Sequence, residues 1–382
     1  MRPQSRAACA VPARQTTVPD GKARYRRGPT DVLTQTSRWL MSIFLNKRTT
    51  RMNIAFFSSQ PYEQPFLEAA NRNHHHTLTF LTETLTPETV RLAAGHQAIC
   101  VFVNDQLSRP VLQALAEQGI QLIALRCTGF NQVDVEAAQE LRFRILRVPA
   151  YSPHSVAEHA VALLLSLNRK TYLAYQRTKD NNFTLDGLMG FDLYGRRVGV
   201  IGTGKIGAAF ARIMLGFGCQ VLAYDKVPSP QLQALGVPFL SLEEILEQAD
   251  VISLHCPLLP ETHHLIDAAA LARMKPGAYL LNTSRGGLID TPAVLEALES
   301  GHLGALGMDV YELEDDFFFA DWSDKPLPDA DLNALTHLPN VLVTSHQGFF
   351  TREAMEQIAD TTISNLTALE QEHLPEKALV VG

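Results

Sequence analysis

Nothing constrains the fold of this chain more than residues 197–207, where an apolar run passes directly into Gly202-x-Gly204-x-x-Gly207. An apolar run ending in closely spaced glycines reads as a strand, a tight turn and a helix start. Gly202 allows the turn, Gly204 lets backbone approach a pyrophosphate, and Gly207 lets the helix pack closely on the strand. The helix N-terminus adds free amides and a favourable dipole for the anion. The three glycines alone would be a weak signal. A second apolar run, 220–224, strengthens it by ending at Asp225, 23 residues after Gly202, close to the spacing of about 20 at which an acid meets the ribose hydroxyls. A carboxylate there repels a 2′-phosphate and no Arg follows it directly, so the pattern favours NAD.

At 382 residues the chain is too long for one ordinary core, which implies two domains. No apolar run approaches the roughly 20 residues needed to span a bilayer; the longest, 160–167, reads as a buried helix. The five cysteines are scattered without a CxxC pair, which suggests neither a disulfide framework nor a zinc site and points to a reducing, cytoplasmic setting. Residues 1–51 hold eleven Lys or Arg against Asp20 and Asp31, a local +9, so the remainder carries −16 of the net −7. An acidic body argues against nucleic-acid binding. The basic leading segment reads as a transit peptide, as a nucleic-acid tail, or as an upstream stretch that is not part of the working protein. Met52 directly precedes the first good strand, which favours the last reading, with an extension that is disordered or non-native.

From Met52 onward strands and helices alternate. Strands at 53–57, 77–81, 98–103, 121–125 and 144–148, with helices near 66–70, 109–118 and 133–140, imply a parallel sheet covered on both faces. Ser155 and Glu158 form a capping-box pattern opening an apolar helix to 170, one that a domain or subunit interface would cover. Residues 171–196 read as a connector. A second unit follows, with strands at 197–201, 219–224, near Val237, 251–254, 278–281, 305–308 and 341–344, and helices at 205–215, 242–248 and 291–299. Helix 352–370 carries a sustained apolar stripe beyond the last of these strands, so it is expected to return to the first domain. The expected fold is α/β with two doubly wound parallel-sheet domains. The first, 52–151 and 350–382, is discontinuous; the second, 152–349, is inserted into it.

Ligands of such sheets bind beyond the carboxyl ends of the strands. His255, Arg285, Asp309 and His346 fall at those ends. Arg285 offers a planar fork to a carboxylate and can polarise a ketone. His346 can give a proton as hydride reaches the carbonyl carbon, and Glu314 could keep it protonated by charge proximity. That is a chemical kit for reducing a 2-oxo acid.

The segments Val200-Ile-Gly-Thr-Gly-Lys-Ile-Gly, Ile252-Ser-Leu-His-Cys-Pro-Leu, Leu281-Asn-Thr-Ser-Arg-Gly-Gly-Leu-Ile-Asp290, Gly307-Met-Asp-Val-Tyr-Glu-Leu-Glu314 and Thr344-Ser-His-Gln-Gly-Phe349 resemble the D-specific 2-hydroxyacid dehydrogenase family. Within it, Val101-Phe-Val-Asn-Asp, Ala124-Leu-Arg-Cys-Thr-Gly-Phe-Asn and Val148-Pro-Ala-Tyr-Ser-Pro are similar to the fermentative, NAD-dependent D-lactate branch of bacteria. The resemblance runs from Met52 to the end. It implies a flavodoxin-like substrate domain, an inserted Rossmann NAD domain, a homo-oligomer, and a small 2-oxo or 2-hydroxy acid as substrate. By the same resemblance Arg285, Glu314 and His346 are catalytic. Gly202, Gly204, Lys205, Ile206, Gly207, Asp225, His255, Cys256, Pro257, Thr283, Ser284 and Asp309 hold the cofactor. Thr128 and Gly129 through their amides, Tyr151, Phe349 and Arg285 hold the substrate.

Two other functions stay open: a dehydrogenase of another 2-hydroxy acid, or an NAD-sensing binding protein. Glu314 speaks against the formate-type branch, where Gln stands in its place. Neither His74-His-His76 nor His263-His264 is expected to hold a metal, because adjacent residues point apart and no carboxylate or Cys sits at ligand spacing. The aromatic run 317–319 reads as packing or subunit contact.

Overall fold

The computed structural model describes residues 51–314, 317–319, 321–371 and 374–382; the expectations for residues 1–50 lie outside them. The chain runs β1 (Asn53–Phe56), α1 (Gln64–Asn71), β2 (Thr77–Phe80), β3 (Ala98–Val101), α2 (Arg109–Glu117), β4 (Leu122–Leu125), α3 (Val135–Glu140) and β5 (Arg144–Arg147). Then come α4 (Pro153–Arg169), α5 (Thr171–Lys179), β6 (Arg197–Ile201), α6 (Lys205–Gly216), β7 (Gln220–Tyr224), α7 (Pro230–Ala234), α8 (Leu242–Gln248), β8 (Val251–Leu254) and α9 (Ala268–Arg273). The last elements are β9 (Ala278–Asn282), α10 (Thr291–Glu299), β10 (Leu303–Met308), α11 (Ala330–His337), β11 (Val341–Val343), α12 (Arg352–Glu370) and β12 (Leu379–Val381).

Helix starts follow local chemistry. Asp134, Asp267, Asp290 and Asp329 each accept an amide of the first turn, and Ser241 with Glu244 forms a complete capping box. The box expected at Ser155 and Glu158 is not there. Pro153 fits the first turn of α4, and Ser152 caps it by accepting from the Ser155 amide. The Ser155 hydroxyl is thereby free to donate to the Gly348 carbonyl at 2.6 Å.

The strands form two sheets, β12-β5-β4-β3-β1-β2 and β11-β10-β9-β8-β6-β7. All neighbours are parallel except β12, which pairs antiparallel with β5. β3 and β8 are buried at every position, as strands covered on both faces must be. The order β2-β1-β3-β4-β5 is the flavodoxin arrangement. In the second sheet the strand expected near Val237 is reduced to a single bridge, Phe239 to Ala223, at the position of the outermost strand of the Rossmann order.

Helix α12 returns to the first sheet as its stripe implied, burying Ala359, Ile363 and Leu366 against Ile54, Phe56 and Ala124. Each such buried Leu or Ile contributes about 1.5–3 kcal/mol. Ala160, Leu163, Leu164 and Leu167 of α4 pack on Val198, Val200, Phe210 and Ala305, so the second sheet and α6 cover that face of the helix. Residues 171–179, expected as connector, form α5, which buries none of its residues.

Candidate active site

The carboxyl ends of both sheets face one pocket of about 670 Å³. Of the residues singled out by sequence, Thr128, Gly129, Tyr151, Lys205, Ile206, Gly204, His255, Cys256, Pro257, Thr283, Ser284, Arg285, Asp309, His346 and Phe349 line it. Gly202, Gly207, Asp225 and Glu314 are not among its lining residues.

The glycine turn is built as its spacing implied. Gly202 has φ +92, and a β-carbon there would lie 2.6 Å from the Cys256 amide nitrogen; one at Gly207 would lie 2.0 Å from the Gly202 carbonyl. These two glycines serve the strand–helix contact. At Gly204, which caps α6, a β-carbon would meet nothing within 4 Å. The helix end therefore opens onto clear space, a cradle that suits a pyrophosphate. Thr283, also on the pocket wall, keeps a buried hydroxyl with no hydrogen-bond partner among the described residues. Both observations fit a dinucleotide.

Asp225 closes the same turn. Its carboxylate accepts the Thr203 amide at 2.5 Å, the Thr203 hydroxyl at 2.9 Å and the Val227 amide at 3.0 Å. Burial opposes its charge, but the amide and hydroxyl of Thr203 and the Val227 amide prevail and hold its pKa below the usual range. The His255 ring lies tilted at 45° to that of Phe210, its Nε2 shares a hydrogen bond with the Ser253 hydroxyl at 2.9 Å, and burial pushes its pKa down to about 3. It is a neutral wall at working pH and not a proton donor.

His346 and Glu314 meet: Nδ1 and Oε1 are 2.7 Å apart, and the other carboxylate oxygen accepts the Tyr311 amide at 2.9 Å. Nε2 of His346 has no hydrogen-bond partner among the described residues, and His346 is one of the residues that line the pocket. His346 has φ +51, the left-handed region that non-glycine residues seldom occupy. What holds it there is Asp309, whose backbone carbonyl accepts the His346 amide at 2.7 Å. The Asp309 carboxylate gathers the loop: the Thr344 hydroxyl donates at 2.5 Å, the Gln347 amide at 2.8 Å and the Gly348 amide at 2.7 Å, with His159 Nε2 at 3.2 Å. Burial raises its pKa, yet hydrogen bonds from His159 and Thr344 outweigh that and lower it. His159 and Thr344 escaped sequence reasoning, since nothing in their spacing pairs them with residue 309.

Arg285 reaches from β9 across to the first lobe. Its Nη1 donates to the Ser284 carbonyl at 2.6 Å, and a β-carbon on Gly129 would lie 2.5 Å from its Nη2. Tyr151 stands beside it; burial pushes the phenol up to about 12 despite the nearby guanidinium, so it remains a hydrogen-bond donor. Phe349 packs edge-on to Tyr151. The aromatic run divides: Phe317 and Phe318 pack on the second-sheet core, as expected, whereas Phe319 lies 6.3 Å from the His346 ring and 5.4 Å from Phe102 of the first lobe.

A Rossmann-type sheet facing a second α/β lobe, with a free imidazole and a guanidinium on the shared wall, defines an NAD-dependent oxidoreductase. Residues 161–348 match the family model described as D-isomer specific 2-hydroxyacid dehydrogenase, NAD binding domain. The D-lactate dehydrogenase of Escherichia coli (strain K12) is 49% identical over 320 residues, 84% of this chain and 97% of that protein. The structure of the pyruvate reductase of Chlamydomonas reinhardtii superposes with a TM-score of 0.81 at 43% identity, covering 86% of this chain and 98% of its own. D-lactate dehydrogenase from Aquifex aeolicus, complexed with NAD and lactic acid, gives 0.77 at 32%, covering 86% and 99%. The chain belongs to the D-isomer-specific 2-hydroxyacid dehydrogenase family. No helix among the described residues is long and apolar enough to cross a membrane.

Proposed function

We propose that the chain is a D-lactate dehydrogenase that reduces pyruvate. Gly204, Lys205 and Ile206 would hold the cofactor's pyrophosphate at the start of α6, with Gly202, Gly207 and Asp225 shaping the turn; His255, Cys256, Pro257, Thr283, Ser284 and Asp309 would form the rest of its bed. Bound NADH supplies the hydride. Arg285 receives the substrate carboxylate on its planar fork and draws charge toward the ketone oxygen. The Thr128 and Gly129 amides and the Tyr151 hydroxyl supply further donors, and Phe349 closes the apolar side. His346 gives a proton from Nε2 to the oxygen that gains charge, while Glu314 at Nδ1 orients the ring.

The observation that carries this reading is the 2.7 Å contact between His346 and Glu314 in a pocket that both His346 and Arg285 line. The test is loss of NADH absorbance with pyruvate and a panel of other 2-oxo acids, with the product's handedness read by a stereospecific assay. NADH binding without oxidation would turn the reading toward a sensor; L-lactate would overturn it. His346→Gln should lower kcat by about 10²–10⁴-fold.

The substrate lobe is taken as 52–151 with 350–382, the NAD lobe as 152–349. Tyr175, Phe183, Leu185, Met189 and Tyr194 are all exposed along and after α5, which supports a homo-oligomer. Cys100, Cys127, Cys219 and Cys256 are free thiols, in keeping with cytoplasmic, fermentative use.

A further inference from the structure

His263 and His264 lie on the turn between β8 and α9, and Glu312 on the turn after β10. None of the three lines the pocket. Sequence spacing suggested that the two imidazoles point apart with no carboxylate near. Instead their rings stack, centroids 3.9 Å apart at 27°. Glu312 Oε1 is 2.9 Å from His264 Nε2 and 3.6 Å from His263 Nε2. One ligand atom from each residue falls within 4.8 Å of the others. His264 has φ +51, which turns its ring onto that of its neighbour, and its amide donates to the Gly287 carbonyl at 2.8 Å.

We propose that His263, His264 and Glu312 bind one divalent transition-metal ion of the Zn²⁺ class at this surface, apart from the reaction pocket. Metal–ligand bonds of about 2.0–2.2 Å in a tetrahedron set neighbouring donor atoms roughly 3.3–3.5 Å apart. The two measured separations bracket that spacing, and the side chains, 53%, 33% and 29% exposed, have room to adjust. Two imidazoles and one carboxylate leave a fourth position for water. The same set excludes Mg²⁺ and Ca²⁺, which prefer oxygen cages. Asp290 stands 3.9 Å from His264 Nδ1, the side from which a carboxylate favours the tautomer with Nε2 free for metal. An ordinary surface ion pair would need only one of these imidazoles and no left-handed residue.

The test uses the full-length protein after chelator treatment, titrated with ZnCl₂ by calorimetry and with CoCl₂ by visible absorption, where tetrahedral Co²⁺ gives intense d–d bands. One saturable ion per chain is expected, weakened about 10–100-fold by Glu312→Gln and by the His263→Gln/His264→Gln double variant. A His74→Gln/His76→Gln variant should retain it, because both those imidazoles already bond the Thr367 hydroxyl. Circular dichroism confirms that each variant is folded; Glu312→Gln, at an exposed position, decides the matter if the double variant is not. Absence of saturable binding, or equal affinity in Glu312→Gln, overturns the proposal.

Discussion

Gly204→Ala separates what the glycine turn does for the fold from what it does for the cofactor. Gly204 sits at φ −62 and ψ −166, a conformation alanine adopts freely, and the added methyl would touch no protein atom within 4 Å. Restricting the unfolded chain stabilises by about 0.4–1 kcal/mol. Alanine is also a poorer N-cap than glycine by about half a kilocalorie. The two nearly cancel, so thermal unfolding should move by no more than about 2 °C. The methyl does, however, stand in the open cradle at the start of α6. Displacing a pyrophosphate from even one charge-assisted amide bond costs about 1.5–3 kcal/mol, or roughly 10–150-fold in the NADH dissociation constant. Fluorescence titration of NADH alongside differential scanning fluorimetry reads both quantities. Gly207→Ala is the contrast: its methyl would press on the Gly202 carbonyl at 2.0 Å, backbone against backbone, so stability itself should fall by about 1–3 kcal/mol or more. NADH affinity unchanged within twofold in Gly204→Ala would refute the cradle, and a large loss of stability there would show that the glycine serves the fold.

Asp225→Ser should narrow the preference for NADH over NADPH by about 1–3 kcal/mol through lost repulsion of the 2′-phosphate; an unaltered ratio of kcat/KM values for the two cofactors would place selectivity elsewhere. Arg285→Lys should raise KM and lower kcat together in steady-state assays, because an ammonium cannot reproduce the two-pronged contact. A fall in kcat alone would assign the carboxylate to Tyr151 and the loop amides. His255, held neutral to about pH 3, protonates near pH 6.5 once unfolded. Its contribution is therefore intact above about pH 6.5 and drains away as pH falls toward 3. Urea unfolding of cofactor-free His255→Gln should show less acid sensitivity between about pH 6.5 and 5, by at most about 2 kcal/mol.

The strands, the glycine turn and helix α12 were legible because their apolar periodicity is local and central strands such as β3 and β8 are buried at every position. What escaped depended on distance along the chain. Ser152 outcompeted Ser155 as helix cap because Pro153 suits the first turn. β12 is three residues long and takes its place only from the β5 edge that it covers. Among the candidate site residues, Arg285 and His346 were legible as reactive types at strand ends, and Glu314 as an acid that could serve the imidazole. The clamp of His159, Thr344 and Asp309 was not, since it joins α4 to two loops through hydrogen bonds alone. Phe319 looked like its two neighbours in sequence, and only the left-handed turn at φ +65 sends its ring toward His346. Glu312 became a partner of His263 and His264 because the turns after β8 and β10 converge.

The bond from Ser155 to the Gly348 carbonyl has a mechanical consequence. The chain passes between the two sheets twice, once between β5 and α4 and once between β11 and α12, and this buried 2.6 Å contact rivets the crossings together. Ser155 and Gly348 both stand at the second-lobe ends of these crossings, so the bond ties the crossings to each other there, a placement that suits a hinge. Displacement in a swing about a hinge grows with distance from it. In any such swing His346, two residues from Gly348, would move least, and the far edges at β2 and β7 would sweep the widest arcs. His346, Glu314 and Arg285 all lie on the second-lobe side of the crossings, so a swing about them would preserve the 2.7 Å imidazole–carboxylate contact and alter only the approach of Thr128 and Gly129 to Arg285.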